Sequence, residues 1–271
     1  MKKVFFPMKV HAVKLEYRRL ILEKSVRGYF KVKNGRQYVY ITRDPTVPSC
    51  DVNHPRKLLV TSKRGKMYSD LINESLSIKA EYDSLLQSWN SIYNFAPPRI
   101  KFPIKQFADP HEMNNDYFLR QRDCLGKYTP DKPTVSDNGK LKSKNEQIAA
   151  DLLNHMGIPF KYETALYLPS IEEMLNPDFL INFYEIDKCV YVEILGMSEK
   201  IDYTIRTAKK LKGFSYDYYR PGREVIYIFL YDKQNFDEDY FVSQVLSAFN
   251  DMIPDSAIIW NTNSEDRPKA V

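Results

Sequence analysis

Asp178 and Glu193 are the two side chains whose placement most clearly invites chemistry. Asp178 follows Pro177 at the head of one hydrophobic run, Pro177 to Tyr184, and Glu193 lies near the far end of the next, Lys188 to Leu195, with Glu185-Ile186-Asp187 between them. If the chain turns back between Glu185 and Ile186, positions whose numbers add to 371 face each other, and Asp178 opposes Glu193. Directly opposed side chains have Cβ atoms about 5 Å apart. Two carboxylates that close repel by about 3 kcal/mol at an effective dielectric of about 20 unless a cation lies between them. Hard oxygen ligands of this kind select Mg²⁺ or Mn²⁺. The competing reading is a pair of strand-end acids that both point to water.

The next segment adds a cation. Tyr203, Arg206, Thr207, Lys210 and Phe214 recur at helical spacing on one face, with rings at both ends that would seat the face on a sheet. A lysine in such a stripe either runs its stem out to solvent or offers its ammonium to a cleft, where it can stabilise developing negative charge or orient a water. Upstream, Ser143 followed by Glu146 has the form of a capping box, and Gly157 is placed to end that helix.

Together these residues resemble a family. Pro177-Asp178-Phe179 followed by Val190-Tyr191-Val192-Glu193 is similar to the core of the PD-(D/E)XK nuclease superfamily. The lysine usual two places after the acid is replaced by Leu195. Glu193-Ile194-Leu195-Gly196-Met197, then Tyr203, Lys210 and Phe214, resembles a branch in which that lysine has moved to the next helix. The branch commonly has His after the acid, where this chain has Ile194. Lys142 to Glu146 and Gly157 to Glu163 resemble the same branch, and the likeness spans roughly residues 138–232.

The resemblance implies metal-assisted phosphodiester hydrolysis. Asp178, Glu193 and the backbone carbonyl of Ile194 would hold Mg²⁺, with Mn²⁺ able to substitute. Lys210 would orient the attacking water or stabilise the transition state, and Glu146 would bind a second metal or a water on the first. It also implies a restriction-endonuclease-like α+β core, a mixed sheet flanked by helices. Each role has a plainer counterpart: Glu146 as the capping-box residue, Lys210 as a surface lysine, Glu163 as a strand-end charge. Lys200 reads as an exposed residue at a helix start.

The elements that must position these groups follow from periodicity. Residues 143–157 read as a helix, Phe160 to Leu168 as a strand, and the two hydrophobic runs as a strand pair. Glu199 to Phe214 reads as a helix, Glu224 to Tyr231 as a strand and Phe236 to Ile253 as a closing helix. Strands and helices in this order imply a mixed sheet with helices packed on it. Asp137-Asn138-Gly139 signals a turn, and a domain boundary is expected near residue 135. Before it, Met8 to Lys24 reads as a helix, Tyr29 to Ile41 as a hairpin about Asn34-Gly35, residues 43–66 as a loop, and Met67 to Tyr93 as a long helix. Residues 95–136 carry six prolines and read as an irregular connector with a short helix near Asn114 to Cys124. Asn261 to Val271 reads as a frayed tail.

Charge is unevenly spread over the 271 residues. Residues 1–66 carry 17 Lys+Arg against 4 Asp+Glu, so the rest of the chain is net acidic although the whole is +5. A basic arm with interleaved rings, as in Arg27 to Lys33 and Arg36 to Tyr40, suits a polyanion. Arg27, Lys31, Lys33, Arg36, Lys63 and Arg64 are its candidate contacts to nucleic acid, most readily DNA. Alternatives are a basic element docked on its own acidic domain, a nuclease fold that binds nucleic acid without cleaving it, and a basic arm for an acidic protein or membrane surface.

Twenty Tyr and 15 Phe argue against a disordered chain, and nine Gly with no phosphate-loop or dinucleotide motif argue against a P-loop NTPase or a Rossmann enzyme. Three scattered Cys (Cys50, Cys124, Cys189) and four dispersed His show neither a disulfide framework nor a zinc spacing. With no long apolar run, the chain reads as a cytoplasmic protein.

Overall fold

In the computed structural model, residues 6–47, 51–105, 109–123, 134–136, 139–196, 201–230 and 236–260 are described. The chain divides into two compact units, Met1–Val10 with Lys101–Ala257, and His11–Ile100 with Ile258–Val271. The architecture is α+β, with parallel and antiparallel strand pairs and six α-helices among the described residues. No helix among them is long and apolar enough to cross a membrane.

In the unit built on residues 11–100, α1 (Met8–Lys24) spans the expected residues. The hairpin comes next as β1 (Arg27–Lys33) and β2 (Arg36–Arg43), turned by Asn34 and Gly35, both at positive φ, as a two-residue turn of this kind demands. Residues 43–66, expected as a loop, contain a third strand, β3 (Arg56–Leu59), antiparallel to β2. It is too short for its own periodicity to show. The long helix α2 (Lys63–Ile92) begins four residues before the expected start, because Ser62 caps it by accepting from the Gly65 N–H. Val39, Ile41, Tyr68 and Ile72 form the core between this sheet and α2. Helices α1 and α2 are tied by His11 Nε2 to the Leu85 carbonyl at 2.8 Å and by Arg18 to Glu81 at 2.8 Å. Strand β4 (Arg99–Ile100) closes the unit by pairing with a strand near the C-terminus.

The other unit takes in the proline-rich stretch from residue 101, so the division falls well before 135. The reason is packing. The Met113 carbonyl accepts from the Cys189 N–H, Asp109 pairs with Lys188, and Phe118 on α3 (Asn115–Arg120) lies in the same apolar cluster as Tyr191 and Phe214. Next come β5 (Thr134–Ser136), β6 (Gly139–Leu141) and α4 (Lys144–His155), the last capped by Ser143 and stopped at Gly157, whose φ is +63°.

The single strand expected from Phe160 to Leu168 is broken into β7 (Phe160–Tyr162) and β8 (Leu166–Leu168) by Glu163, which sits in the left-handed region at φ 49°. Strand β8 pairs with β9 (Glu173–Leu175) as a separate hairpin. Strands β10 (Phe179–Phe183) and β11 (Lys188–Gly196) come after it, then α5 (Ile201–Tyr216), β12 (Val225–Leu230), α6 (Glu238–Asp251) and β13 (Ile258–Ile259), the partner of β4.

The main sheet has the order β12-β11-β10-β7. Strands β7, β10 and β11 run antiparallel in turn, and β12 lies parallel to β11, as the helical crossover through α5 requires. Its two faces are distinct. Phe183 stacks on Phe249 of α6 at 4.4 Å on one side. On the other, Leu180, Cys189 and Tyr191 pack with Phe214 of α5. Cys189 is buried and its thiol pKa is pushed up to about 12 by burial, so it is an inert core residue. Cys50, Cys124, Met197, Glu199, Lys200 and the 261–271 tail lie outside the described residues.

Candidate active site

The strand register brings the acidic pair together. Phe179 faces Val192 and Leu180 faces Tyr191, and each further pair keeps the same offset around the turn at Tyr184–Ile186. One step beyond the ladder, Asp178 meets the Glu193 region, where its Oδ2 accepts from the Ile194 N–H at 2.6 Å. Both acids therefore continue the α5-facing row of Leu180 and Tyr191 rather than pointing to water. Glu193 is only 2% exposed, and Asp178 is half-buried.

Lys210 reaches this pair from α5, its ammonium bound to Glu193 Oε1. The helix face is the expected one: Phe214 is fully buried, Thr207 and Lys210 are half-buried, and Arg206 is exposed. The Tyr203 side chain lies outside the described residues. Glu193 Oε2 is buried and has no hydrogen-bond partner among the described residues. Burial raises the proton affinity of Glu193, while Lys210 and the Asp178 backbone N–H work against it. Burial, then the charges of Glu193 and Glu146, raise that of Asp178 well above the ordinary carboxylate range. Two facing acids served by the single ammonium of Lys210, one of them with an unused oxygen, form a site whose electrostatics a further cation would relieve.

Glu146 serves the capping box, and its carboxylate is also engaged beyond it. Oε1 accepts from Ser143 Oγ at 2.9 Å, and Oε2 accepts from the Lys142 N–H at 3.0 Å and from Tyr162 OH at 2.6 Å. Its negative charge is still felt at Asp178 and Glu193. Glu163, read from sequence as a strand-end charge, belongs to the same cluster. It is buried, it pairs with the Lys142 ammonium, its N–H donates to the Asp178 carbonyl at 3.1 Å, and its Oε2 has no partner among the described residues. Burial raises its pKa, Lys142 pulls it down, and Glu146 adds to the rise. What marks it is visible only in the structure: it breaks the strand at φ 49°, and a non-glycine residue at positive φ is held there by its surroundings, often at functional sites.

Among the described residues, no three His, Cys, Asp or Glu side chains are grouped as a metal cage. Asp178 and Glu193 supply two carboxylates, the number by which Mg²⁺ is commonly anchored while it keeps several waters.

The basic candidates are only partly assembled. Lys31, Lys33 and Arg36 share one face of the hairpin, with Lys33 opposite Arg36. Arg27 is turned away: the register shifts between Arg27 and Gly28, and its guanidinium donates to the Leu22 carbonyl. Lys63 and Arg64 are exposed on the first turn of α2, the helix that covers the opposite sheet face. No family model matches the chain, and no curated protein or solved structure matches it.

Proposed function

We propose that the protein is a Mg²⁺-dependent nuclease that hydrolyses phosphodiester bonds, most readily in DNA, with Asp178, Glu193 and Lys210 at its centre. The observation that carries the reading is the meeting of the two strand-borne acids with a helix-borne ammonium at one end of a mixed sheet. Taking only the main-sheet strands, the order α4, β7, β10, β11, α5, β12 agrees with the restriction-endonuclease-like core implied by the PD-(D/E)XK resemblance.

The residues fit a hard divalent ion. Asp178, Glu193 and the Ile194 carbonyl would hold it, and the unpartnered Glu193 Oε2 is a ligand atom in waiting. Such an ion, when bound, polarises a phosphate and lowers the pKa of a bound water. The chain's own contribution is orientation and charge. The Ile194 N–H fixes the Asp178 carboxylate, and the Lys210 ammonium, held in place by Glu193, is positioned to meet negative charge that develops on phosphate oxygens. Glu146 adds negative charge at the pair, which favours a cation, while its own oxygens are held by Ser143, the Lys142 N–H and Tyr162.

The test uses plasmid and single-stranded substrates with Mg²⁺ or Mn²⁺, alongside calorimetric titration of the metal. Wild type is expected to cleave and to bind metal, and Asp178→Ala to do neither. Identical behaviour of the two proteins at every metal concentration refutes the proposal. A second reading, a nuclease fold that binds nucleic acid without cutting it, draws on Leu195, which is buried and apolar where the superfamily commonly has its lysine. It predicts nucleic-acid binding with no metal uptake.

A further inference from the structure

The three-stranded sheet formed by β1, β2 and β3 has one packed face and one open face, and the open face sets rings beside cations. Alternation along the strands sends Phe30, Val39, Ile41 and Leu58 to the α2 side. It sends Tyr29, Lys31 and Lys33 of β1, Arg36, Tyr38 and Tyr40 of β2, and Lys57 of β3 to the other. Register then sets them side by side: Tyr29 opposite Tyr40, Lys31 opposite Tyr38, Lys33 opposite Arg36, and Tyr40 opposite Lys57. The Tyr29 and Tyr40 rings are parallel to within 1°, with centroids 5.0 Å apart, and Tyr29 is 46% exposed. The Lys57 ammonium stands 3.9 Å from the centre of the Tyr38 ring.

The charge on this face is unopposed. The three strands contain no acidic residue. The acid next in sequence, Asp44, is turned inward, where it accepts from Tyr68 OH at 2.7 Å and from Thr46, and where Arg56 accompanies it. Lys31, Lys33, Arg36 and Lys57 are all exposed. The exposed Tyr29 ring leaves apolar surface in water, and cations set beside the rings at strand spacing match a chain of phosphates with bases between.

We propose that this open face binds single-stranded nucleic acid, with bases stacking on Tyr29, Tyr38 and Tyr40 and phosphates meeting Lys31, Lys33, Arg36 and Lys57. Unpaired bases are specified because a ring on a sheet can stack only on a base that is free of its own neighbours, whereas a duplex offers this face its phosphates alone. The proposal deepens the nuclease reading by naming the form of strand it would engage, and it rests on that reading only for the fate of the strand once bound.

Binding is measured with the full chain in EDTA, where cleavage plays no part, by fluorescence anisotropy of a labelled oligo-dT, a duplex of equal length and vesicles containing phosphatidylserine. Wild type is expected to prefer oligo-dT. Tyr29→Ala with Tyr40→Ala should weaken oligo-dT binding by about tenfold or more. Tyr29→Phe with Tyr40→Phe, which keeps the rings and serves as the control for folding, should bind as wild type does. Lys31→Ala, Lys33→Ala and Arg36→Ala together should lower the salt slope for single strands by about 2. Equal affinity for duplex and oligo-dT, unchanged binding by the folded Ala pair, or binding to vesicles alone overturns the proposal. A wild type that cleaves with Mg²⁺ but does not bind oligo-dT in EDTA removes this face and leaves the nuclease. Binding intact in a chain that never cleaves does the reverse.

Discussion

Asp178→Asn separates the cost of the acidic pair from its use. In the folded chain Asp178 stands opposite Glu193, and burial together with the charges of Glu193 and Glu146 disfavours its ionised form. Two unit charges about 5 Å apart repel by about 3 kcal/mol at an effective dielectric of about 20. Lys210 offsets part of this through Glu193, and Asp178 keeps some contact with solvent, so roughly half of that figure, about 1.5 kcal/mol, is the net penalty to expect. Asparagine keeps the volume and an oxygen to accept from the Ile194 N–H, and removes only the charge. For a unit of this size each kcal/mol moves Tm by about 2–4 °C, so Asp178→Asn should melt about 3–6 °C above wild type in EDTA. Mn²⁺ or Mg²⁺ should then reverse the order. At a hundred times its Kd a ligand adds about 2.7 kcal/mol, or about 5–10 °C, and the gain should fall to wild type while the variant stays almost unmoved. Differential scanning fluorimetry across a metal titration reads both halves. A variant that melts below wild type in EDTA, or that gains as much from metal, refutes the electrostatic argument.

The same charges set a pH signature. Asp178 and Glu193 hold protons more tightly folded than unfolded, so stability should fall as pH rises from the ordinary carboxylate range through their raised values, and Asp178→Asn should flatten that limb in urea titrations. Asp109 contributes the opposite limb. Burial would raise its pKa, but Lys188 and the N–H groups of His111 and Met113 hold it low, so its contribution is lost as pH falls through that lowered value, and Asp109→Asn should remove the acid-side slope. Lys210→Met takes the cation from a buried carboxylate and should cost about 2 kcal/mol, less than a fully buried pair because Lys210 is 32% exposed, with Glu193→Gln in the same chain restoring most of it in a double-mutant cycle. In the other unit, Gly65→Ala would set a Cβ 1.9 Å from the Leu59 carbonyl oxygen at the start of α2, and a loss of about 3 kcal/mol in unfolding free energy, measured by urea titration, is expected.

The site was legible in the sequence where short-range rules decide geometry. A hairpin whose turn lies at Glu185-Ile186 has one register, and that register fixed which acid faces which. Ser143 with Glu146, and Asn34-Gly35, were readable for the same reason: each makes its hydrogen bonds or its turn within a few residues. The features hidden from the sequence depend on partners far along the chain. Strand β3 exists because β2 offers it an edge, and β4 because β13 arrives from more than 150 residues away. The units divide near residue 100 rather than 135 because Asp109, Met113 and Phe118 find partners on β11, which no local pattern announces. Glu163 was hidden by its strand-like neighbours: Phe160 to Leu168 alternates well enough to pass as one strand, and only the positive φ shows that it is two.

The position of the lysine is decided by how a helix lies on a strand. Strand β11 is buried along nearly its whole length, and Leu195, two residues beyond Glu193 on the same face, is 3% exposed. A side chain there begins within the layer between sheet and helix, where leucine packs without the desolvation cost of a charge. The helix can deliver the charge instead because the two repeats agree: two residues of strand cover about 6.6 Å and four of helix about 6 Å. Since α5 connects two parallel strands, it runs antiparallel to them, and one step back along the helix is one step forward along β11. Phe214 shares a cluster with Tyr191, and one turn earlier Lys210 meets Glu193. Its stem lies against the sheet while part of the side chain keeps access to water, so the charge is held at the acids without being buried with them. A leucine after the strand acid is thus what this packing requires once the cation arrives from above, and Leu195 and Lys210 are two consequences of one arrangement.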